Sequence, residues 1–330
     1  MIDCFDKGVF TVSLDFELIW GTLDLPASTR FRTLCALERA EVFDPLLELF
    51  AEFNISATWA TVGHLFLNQC AKAHPELVRS SPADKLRLSL DPGTTEAQDP
   101  IFYARQLVEK IRDCRVLQEI GSHSFTHVLL GDPSCTQATA EGELNSAVAA
   151  ARELGVTLHS FVYPRNMIGH ADALVRHGFT CYRAPDETWY ETGKQRKWYH
   201  RAGHLTDILA AKMPPAVMPN WDANGIWAIP GSMLYTPSFG LRKYIPVKLR
   251  VARAHKGLHE AFRRRRIFHL WFHPTDLVER RQSMLDGLRQ IFSTATRMRD
   301  RGQLDILTMS QLTSRLRPPV SQPALSLEAK

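Results

Sequence analysis

Short apolar runs of strand character alternate with segments of helical period along the whole chain, and this alternation restricts the fold more than any other feature of the sequence. Alternating β and α units are the pattern of parallel βα structure, in which each strand returns through a helix laid against the sheet. The strand candidates are Val9 to Leu14, Ile55 to Thr61, Leu117 to Ile120, His159 to Tyr163, Phe179 to Tyr182, Ile226 to Ile229, Ile267 to Phe272 and Leu304 to Leu307. Such a series predicts an α/β fold: a distorted (β/α) barrel of seven to eight parallel strands. Between the strands, Phe43, Leu46, Leu47, Phe50 and Phe53 recur at helical spacing. Leu144, Val148, Ala151 and Leu154 do so ahead of Gly155, and Met284, Leu285, Leu288, Ile291, Phe292, Ala295 and Met298 ahead of Gly302. These stripes predict helices that cover the barrel and bury one face, with glycine closing the last turn.

Two segments break the rhythm. Arg79 to Pro100, rich in Pro, Ser, Thr and Asp, reads as a surface loop, and the aromatic stretch from Trp189 to Trp227 reads as an insertion that walls a cleft. At 330 residues, 45% of them hydrophobic, the chain can bury a core of barrel size. We expect one barrel domain over residues 1–317, with insertions near 79–100 and 189–227, and a disordered proline-bearing tail over 318–330. The formal charge of +5 is a mild excess that gives no reason to expect nucleic acid as a partner. Cys4, Cys35, Cys70, Cys114, Cys135 and Cys181 never form a C-x-x-C pair, so neither a zinc ribbon nor a redox motif is expected and a reducing cytoplasm fits. No secretory leader pattern precedes Val9. No run reaches the roughly 18 apolar residues that a bilayer span requires.

The residues that carry chemistry fall at strand ends. Asp15, Phe16 and Glu17 close the first strand, and in an extended chain both carboxylates leave the same face. Two like charges so close are costly unless a cation is shared; a divalent ion neutralises one and leaves the other free as a base. After the third strand, Gly121-Ser122-His123-Ser124-Phe125-Thr126-His127 sets two histidines four residues apart, a spacing that in a helical turn puts both imidazoles on one face. Imidazole nitrogen with carboxylate oxygen suits zinc with one position open. The plain alternatives are solvated acids at a strand end and two surface histidines. The fourth strand ends in Tyr163-Pro164-Arg165-Asn166 and the fifth in Tyr182-Arg183-Ala184-Pro185, so Arg165 and Arg183 reach the rim where barrel sites gather. Either arginine could orient a carboxylate or hold an anionic substrate group. The seventh strand ends in His269-Leu270-Trp271-Phe272-His273-Pro274, which places His273 as a general acid and leaves His269 a structural role.

In this order, Ser13-Leu14-Asp15-Phe16-Glu17, His123-Ser124-Phe125-Thr126-His127, Phe161-Val162-Tyr163-Pro164 and Leu270-Trp271-Phe272-His273-Pro274 resemble the motifs of the polysaccharide deacetylase family, the NodB-homology or carbohydrate esterase 4-like group, from about Val9 to Leu312. The resemblance implies a metal-dependent hydrolase that removes an N-acetyl or other N-acyl group from a sugar or glycan intermediate. It implies Asp15 as base, Glu17, His123 and His127 as ligands of a divalent ion, with zinc expected, and His273 as the acid that protonates the leaving amine. It also implies the backbone N–H of Arg165 as an oxyanion donor. Two departures stand out. Phe16 separates the acids where the commoner motif has adjacent aspartates, and the second acid is glutamate. The third motif lacks its usual opening arginine, which leaves Arg165 and Arg183 both as candidates to steady the base.

Other functions are compatible with parts of the pattern. Related enzymes hydrolyse other linear C–N bonds, as an allantoinase does, and a catalytically silent glycan receptor would keep the cleft. A non-haem iron oxygenase also uses two histidines and a carboxylate, but on an all-β barrel. Arg263-Arg264-Arg265-Arg266 ends a predicted helix from His255. Its plain reading is a set of cations at a helix C-terminus; its sharper one is contact with an anionic membrane surface or a lipid-linked sugar, at the barrel end away from the metal.

Overall fold

Strand β1, Gly8–Phe16, is buried along its whole length and organises the molecule. Its residues alternate: Phe10, Val12, Leu14 and Phe16 join the large core shared with the helices, while Val9 joins a smaller core with Ala60, Val162, Cys181, Ile229 and Ile267. Period-two geometry therefore puts Thr11, Ser13 and Asp15 on the same side as Val9. A buried strand in a parallel sheet needs apolar side chains on its outer face, and this one carries polar groups inside, toward the end where the chemistry lies.

The protein is described from a computed structural model that covers residues 4–25, 28–72, 74, 77, 82–186 and 211–319. The remaining strands are β2 (Thr58–Thr61), β3 (Glu119–Ser122), β4 (Ser160–Val162), β5 (Cys181–Ala184), β6 (Asn220–Trp221), β7 (Trp227–Pro230), β8 (Met233–Leu234), β9 (Ile267–Phe272) and β10 (Leu304–Ile306). They form one curled sheet in the order β6-β7-β5-β4-β3-β2-β1-β9-β8, with β10 also paired to β1. Every strand pairing is parallel except that of β6 with β7. Gly231 donates its N–H to Ala184 at 3.1 Å, and Ser232 donates to His269 at 2.9 Å, so the chain leaving β7 draws β5 and β9 together. The result is the distorted α/β barrel expected from the alternation, and each of the eight predicted strands overlaps an observed one. The two-residue strands β6 and β8 were not expected, because neither has an apolar run of its own.

The helices are α1 (Ser28–Leu37), α2 (Phe43–Glu52), α3 (Pro82–Ser89), α4 (Arg105–Arg112), α5 (Gln137–Glu153), α6 (Ala171–Arg176), α7 (Val247–Arg264), α8 (Arg281–Asp300) and α9 (Met309–Ser314). The three predicted stripes lie on α2, α5 and α8 or at their C-terminal ends, and Phe43, Leu46, Phe50, Leu144, Ala151, Leu288, Ile291 and Phe292 are buried. The segment from Arg79 to Pro100 departs from the expected surface loop. It contains α3 and buries Arg87, Asp91 and Glu96. Each of these charges has a partner, which makes burial tolerable in a stretch whose composition reads as solvated. Residues 78–81 lie outside the described residues, as do 187–210 of the predicted insertion and 320–330 of the predicted tail. All six cysteines are free, and no helix among the described residues is long and apolar enough to cross a membrane.

Candidate active site

The polar interior of the barrel converges on Asp15, which is 4% exposed near the C-terminal end of β1. Arg183, on β5, forks onto it, with NH1 2.6 Å from Oδ1 and NH2 2.7 Å from Oδ2. A planar guanidinium matches a carboxylate in this way, and the two parallel bonds fix the plane of the acid. Arg183 is itself held by Ser13 Oγ at 3.2 Å and lies 4.3 Å over the Trp271 ring. His269 closes the lower layer: its Nε2 is 2.9 Å from Ser13 Oγ and its Nδ1 is 3.1 Å from the Pro230 carbonyl. Burial, with Arg183 nearby, pushes this imidazole down to about 3, so it is neutral packing in the barrel. Burial works against the Asp15 charge, yet Arg183, with His273 and His123, holds its carboxyl below the usual range.

Of the two arginines that the sequence leaves open, only Arg183 contacts Asp15. Arg165 follows Pro164 in a short turn with its own φ at +53°, and its guanidinium turns to Asp24 at 2.6 Å. Arg87, fully buried on α3, reaches the same Asp24 at 2.9 Å, so the Arg165 turn is tied to the 82–89 helix.

Glu17 lies just beyond β1, where the chain turns into a 3-10 segment, Leu18–Thr22. Its Oε2 is 3.3 Å from His123 Nε2 and 2.9 Å from His127 Nε2. Three donor atoms are thus gathered at one place, and the longer separation equals the edge, about 3.3 Å, of a tetrahedron with bonds near 2.0–2.1 Å, while the other is shorter. His123 gives its Nδ1 hydrogen to the Val162 carbonyl at 2.7 Å, which leaves Nε2 with its lone pair toward Glu17. Burial pushes His127 down to about 4, so its ring is in the neutral form that binds metal. The donor set, with the tautomer of His123, fits a divalent cation.

The histidines are not on a helix, contrary to expectation. Residues 123–127 form an irregular loop in which Ser124 and His127 have φ of +59° and +62°. The four-residue spacing brings the rings together, 5.0 Å between centroids, through that reversal and not through a helical face. The loop is held from behind by Glu143 of α5, a residue the sequence reading passed over. Glu143 Oε2 accepts the N–H groups of Phe125 at 2.9 Å and Thr126 at 2.8 Å, and its Oε1 accepts the Thr126 hydroxyl at 2.6 Å. Nothing in the pattern around Glu143 distinguishes it from a helix-surface acid.

His273 follows β9 and faces both acids, its Nε2 3.6 Å from Asp15 Oδ2 and 3.7 Å from Glu17 Oε1. Its Nδ1 is 3.0 Å from Asp276 Oδ2, and Asp276 also accepts the His273 N–H in a capping box. Burial opposes charge on this ring, but Asp276, Glu17 and Asp15 together push it up to about 10. Asp276 was missed as well, although an acid three residues after a strand-end His-Pro is a readable capping signal. Behind it, Glu38 is fully buried, and desolvation lifts its carboxyl to about 8. Glu38 accepts the Thr275 hydroxyl through Oε2.

Gly21 sets the position of Glu17. A Cβ at Gly21 would lie 2.1 Å from the Glu17 carboxyl carbon. Gly21→Ala is therefore expected to displace that carboxylate and to weaken divalent-ion affinity by about 10- to 100-fold, with the fold retained. Chelator competition measures this, and an unchanged affinity would show that Glu17 binds nothing in this position.

No family model and no curated sequence matches the chain. Solved structures do. A structure from Mycobacterium smegmatis assigned to the polysaccharide deacetylases aligns at TM-score 0.60 with 15% identity, over 97% of this chain and 96% of that one. One from Pseudomonas aeruginosa PAO1 with the same assignment aligns at 0.59 with 10% identity, over 93% and 89%. An allantoinase aligns at 0.60 with 10% identity, over 94% and 90%. The chain thus has the distorted barrel fold of NodB type that these proteins share.

Proposed function

We propose that the protein is a metal-dependent hydrolase that removes an N-acetyl or other N-acyl group from a sugar or glycan intermediate. The observation that carries this reading is the convergence of a clamped carboxylate, Asp15, a three-donor set, Glu17, His123 and His127, and an acid-paired imidazole, His273, at one barrel mouth. Glu17, His123 and His127 would hold a divalent ion, zinc by the nature of the nitrogen and oxygen donors, and it would supply Lewis-acid polarisation of the acyl carbonyl and acidification of water.

The chain's own residues do the proton work. Asp15, oriented by Arg183, takes a proton from water as the water oxygen adds to the acyl carbon. Arg165, in its positive-φ turn, is assigned an oxyanion contact through its backbone N–H. His273, held by Asp276, gives a proton to the nitrogen as the C–N bond breaks, releasing an acid and an amine. Mass spectrometry of products from acylated nucleotide sugars, lipid-linked sugars, chitin oligomers and ureides tests the reading. Loss of an acyl group from a sugar supports it. Turnover of ureides alone would transfer the site to allantoinase-like chemistry, and binding without turnover on every acylated glycan would make the protein a receptor.

The arginine run stays outside this machinery. It straddles the end of α7, just before β9 begins, at the end of the barrel opposite His273. Arg263 and Arg264 both pair with Glu260, and Arg265 takes the left-handed cap conformation, φ +52°. These pairings favour a helix cap over a membrane contact. Replacing Arg264 and Arg265 by Gln should leave hydrolysis of a soluble substrate unchanged. Salt-sensitive sedimentation of the wild type with anionic vesicles, reduced in the double variant, would reinstate the membrane contact.

A further inference from the structure

A second group of ligand atoms lies behind the first. His64, Cys70, His74 and Asp91 each direct one donor atom to a common point, all four within 4.8 Å of one another. His74 Nε2 is 3.1 Å from Cys70 Sγ and 3.2 Å from Asp91 Oδ2; Cys70 Sγ is 3.5 Å from Asp91 Oδ2, and His64 Nε2 is 3.4 Å from it. Zinc bonds of about 2.0–2.3 Å to N, O and S imply tetrahedral edges of about 3.3–3.7 Å. Two of the observed separations, 3.4 and 3.5 Å, fall within that range, and the two to His74 Nε2 are 0.1–0.2 Å shorter. None of these residues takes part in the proposed hydrolysis, and the inference stands apart from that reading.

The surroundings are those of a ligand set. His64 is fully buried, and its Nε2 has no hydrogen-bond partner among the described residues. Its Nδ1 is 3.2 Å from the Phe102 carbonyl, which takes the Nδ1 hydrogen and leaves the Nε2 lone pair aimed at the cluster. Asp91 uses its other oxygen, Oδ1, for the Gly93 N–H at 3.0 Å and the Tyr103 hydroxyl at 3.3 Å, so Oδ2 is left for the common point. The Lys72 N–H points at Cys70 Sγ at 3.1 Å, as a donor to a thiolate would. A Cys-His-Asp catalytic relay would set the acid on the far nitrogen of the imidazole. Here Cys70 and Asp91 both meet the same atom, His74 Nε2, so these two groups converge on one point.

We propose that His64, Cys70, His74 and Asp91 bind a structural zinc ion. One thiolate and one carboxylate cancel the charge of the dication, two neutral imidazoles complete a closed four-ligand set, and the proton on the Cys70 thiol and any on the metal-facing imidazole nitrogens leave to solvent on binding. The site ties His64, Cys70 and His74 to Asp91. His64 is also bound to the first site: Gly63 donates to the Ser124 carbonyl at 2.8 Å and His64 to the Phe125 carbonyl at 2.9 Å. Phe125 packs against both histidines of the cluster, with centroids 5.7 and 5.6 Å apart. The ion would therefore brace from behind the loop that presents His123 and His127.

Cobalt substitution of the full-length protein tests this. Of the two ligand clusters among the described residues, this one alone offers a thiolate, so Co(II) protein should show a thiolate-to-metal charge-transfer band, and elemental analysis should find about two ions per chain. Cys70→Ser should abolish the band and leave about one ion. The paired variant His123→Ala, His127→Ala should keep the band with about one ion, which holds even if Cys70→Ser does not fold. A wild-type cobalt protein without the band overturns the proposal, as does a band that persists in folded Cys70→Ser.

Discussion

Asp15→Asn should lower hydrolysis by about 10²- to 10⁴-fold and leave the first-site ion bound, whereas Glu17→Ala should lose ion and activity together. The two acids are two residues apart in sequence, yet their surroundings differ in kind. Both Asp15 oxygens are taken by the Arg183 fork, and Glu17 Oε2 faces two imidazole nitrogens. Asparagine keeps the shape of Asp15 and one acceptor oxygen but cannot take a proton, so the loss should appear in kcat with little change in KM. Alanine at 17 removes one of three donors, and affinity measured by chelator competition should collapse. His273→Gln should follow the Asp15 pattern, since its ring touches the acids and contributes no donor to the three-atom set. Equal ion loss in Asp15→Asn and Glu17→Ala would make both acids ligands and would require another base.

The barrel was legible because its evidence is periodic. Each buried strand writes a short apolar run, and α2, α5 and α8 write stripes that any covering helix must have. The residues of the candidate site were legible as candidates because barrel strands end where sites form, so Asp15, His123, Arg183 and His273 mark themselves by position. What stayed hidden was contact between distant segments. The choice between Arg165 and Arg183 depends on which guanidinium turns inward, and Asp24, in an unremarked turn, decides it for Arg165. Glu143 braces the 123–127 loop from 16 residues beyond His127, on a helix whose pattern reads as ordinary. The C-x-x-x-H spacing of Cys70 and His74 was present in the sequence. It carried no weight without His64 and Asp91, which join it only when the His74 ring packs against Phe125.

Arg183→Met should cost about 3–5 kcal/mol of stability at neutral pH, because it leaves a buried carboxylate without its main cation. Arg183 and Asp15 are 1% and 4% exposed, and the pair sits between the Ser13 hydroxyl and the Trp271 ring, where water cannot replace the guanidinium. Methionine fills similar volume on Trp271, so the loss measures charge compensation more than packing. Adding Asp15→Asn to Arg183→Met removes the stranded charge, and the double variant should recover much of the loss, with a coupling energy of about 0.5–3 kcal/mol. Arg165→Met offers the contrast: its guanidinium is more than a third exposed at the side chain and pairs with Asp24, so its cost should be about 1 kcal/mol or less. Urea denaturation at one pH of five proteins, the wild type, Arg183→Met, Asp15→Asn, the double variant and Arg165→Met, reads all of these values. If Arg183→Met and the double variant fall by the same amount, the Asp15 charge is carried by His273 and the metal-ligand cluster, and Arg183 is packing alone.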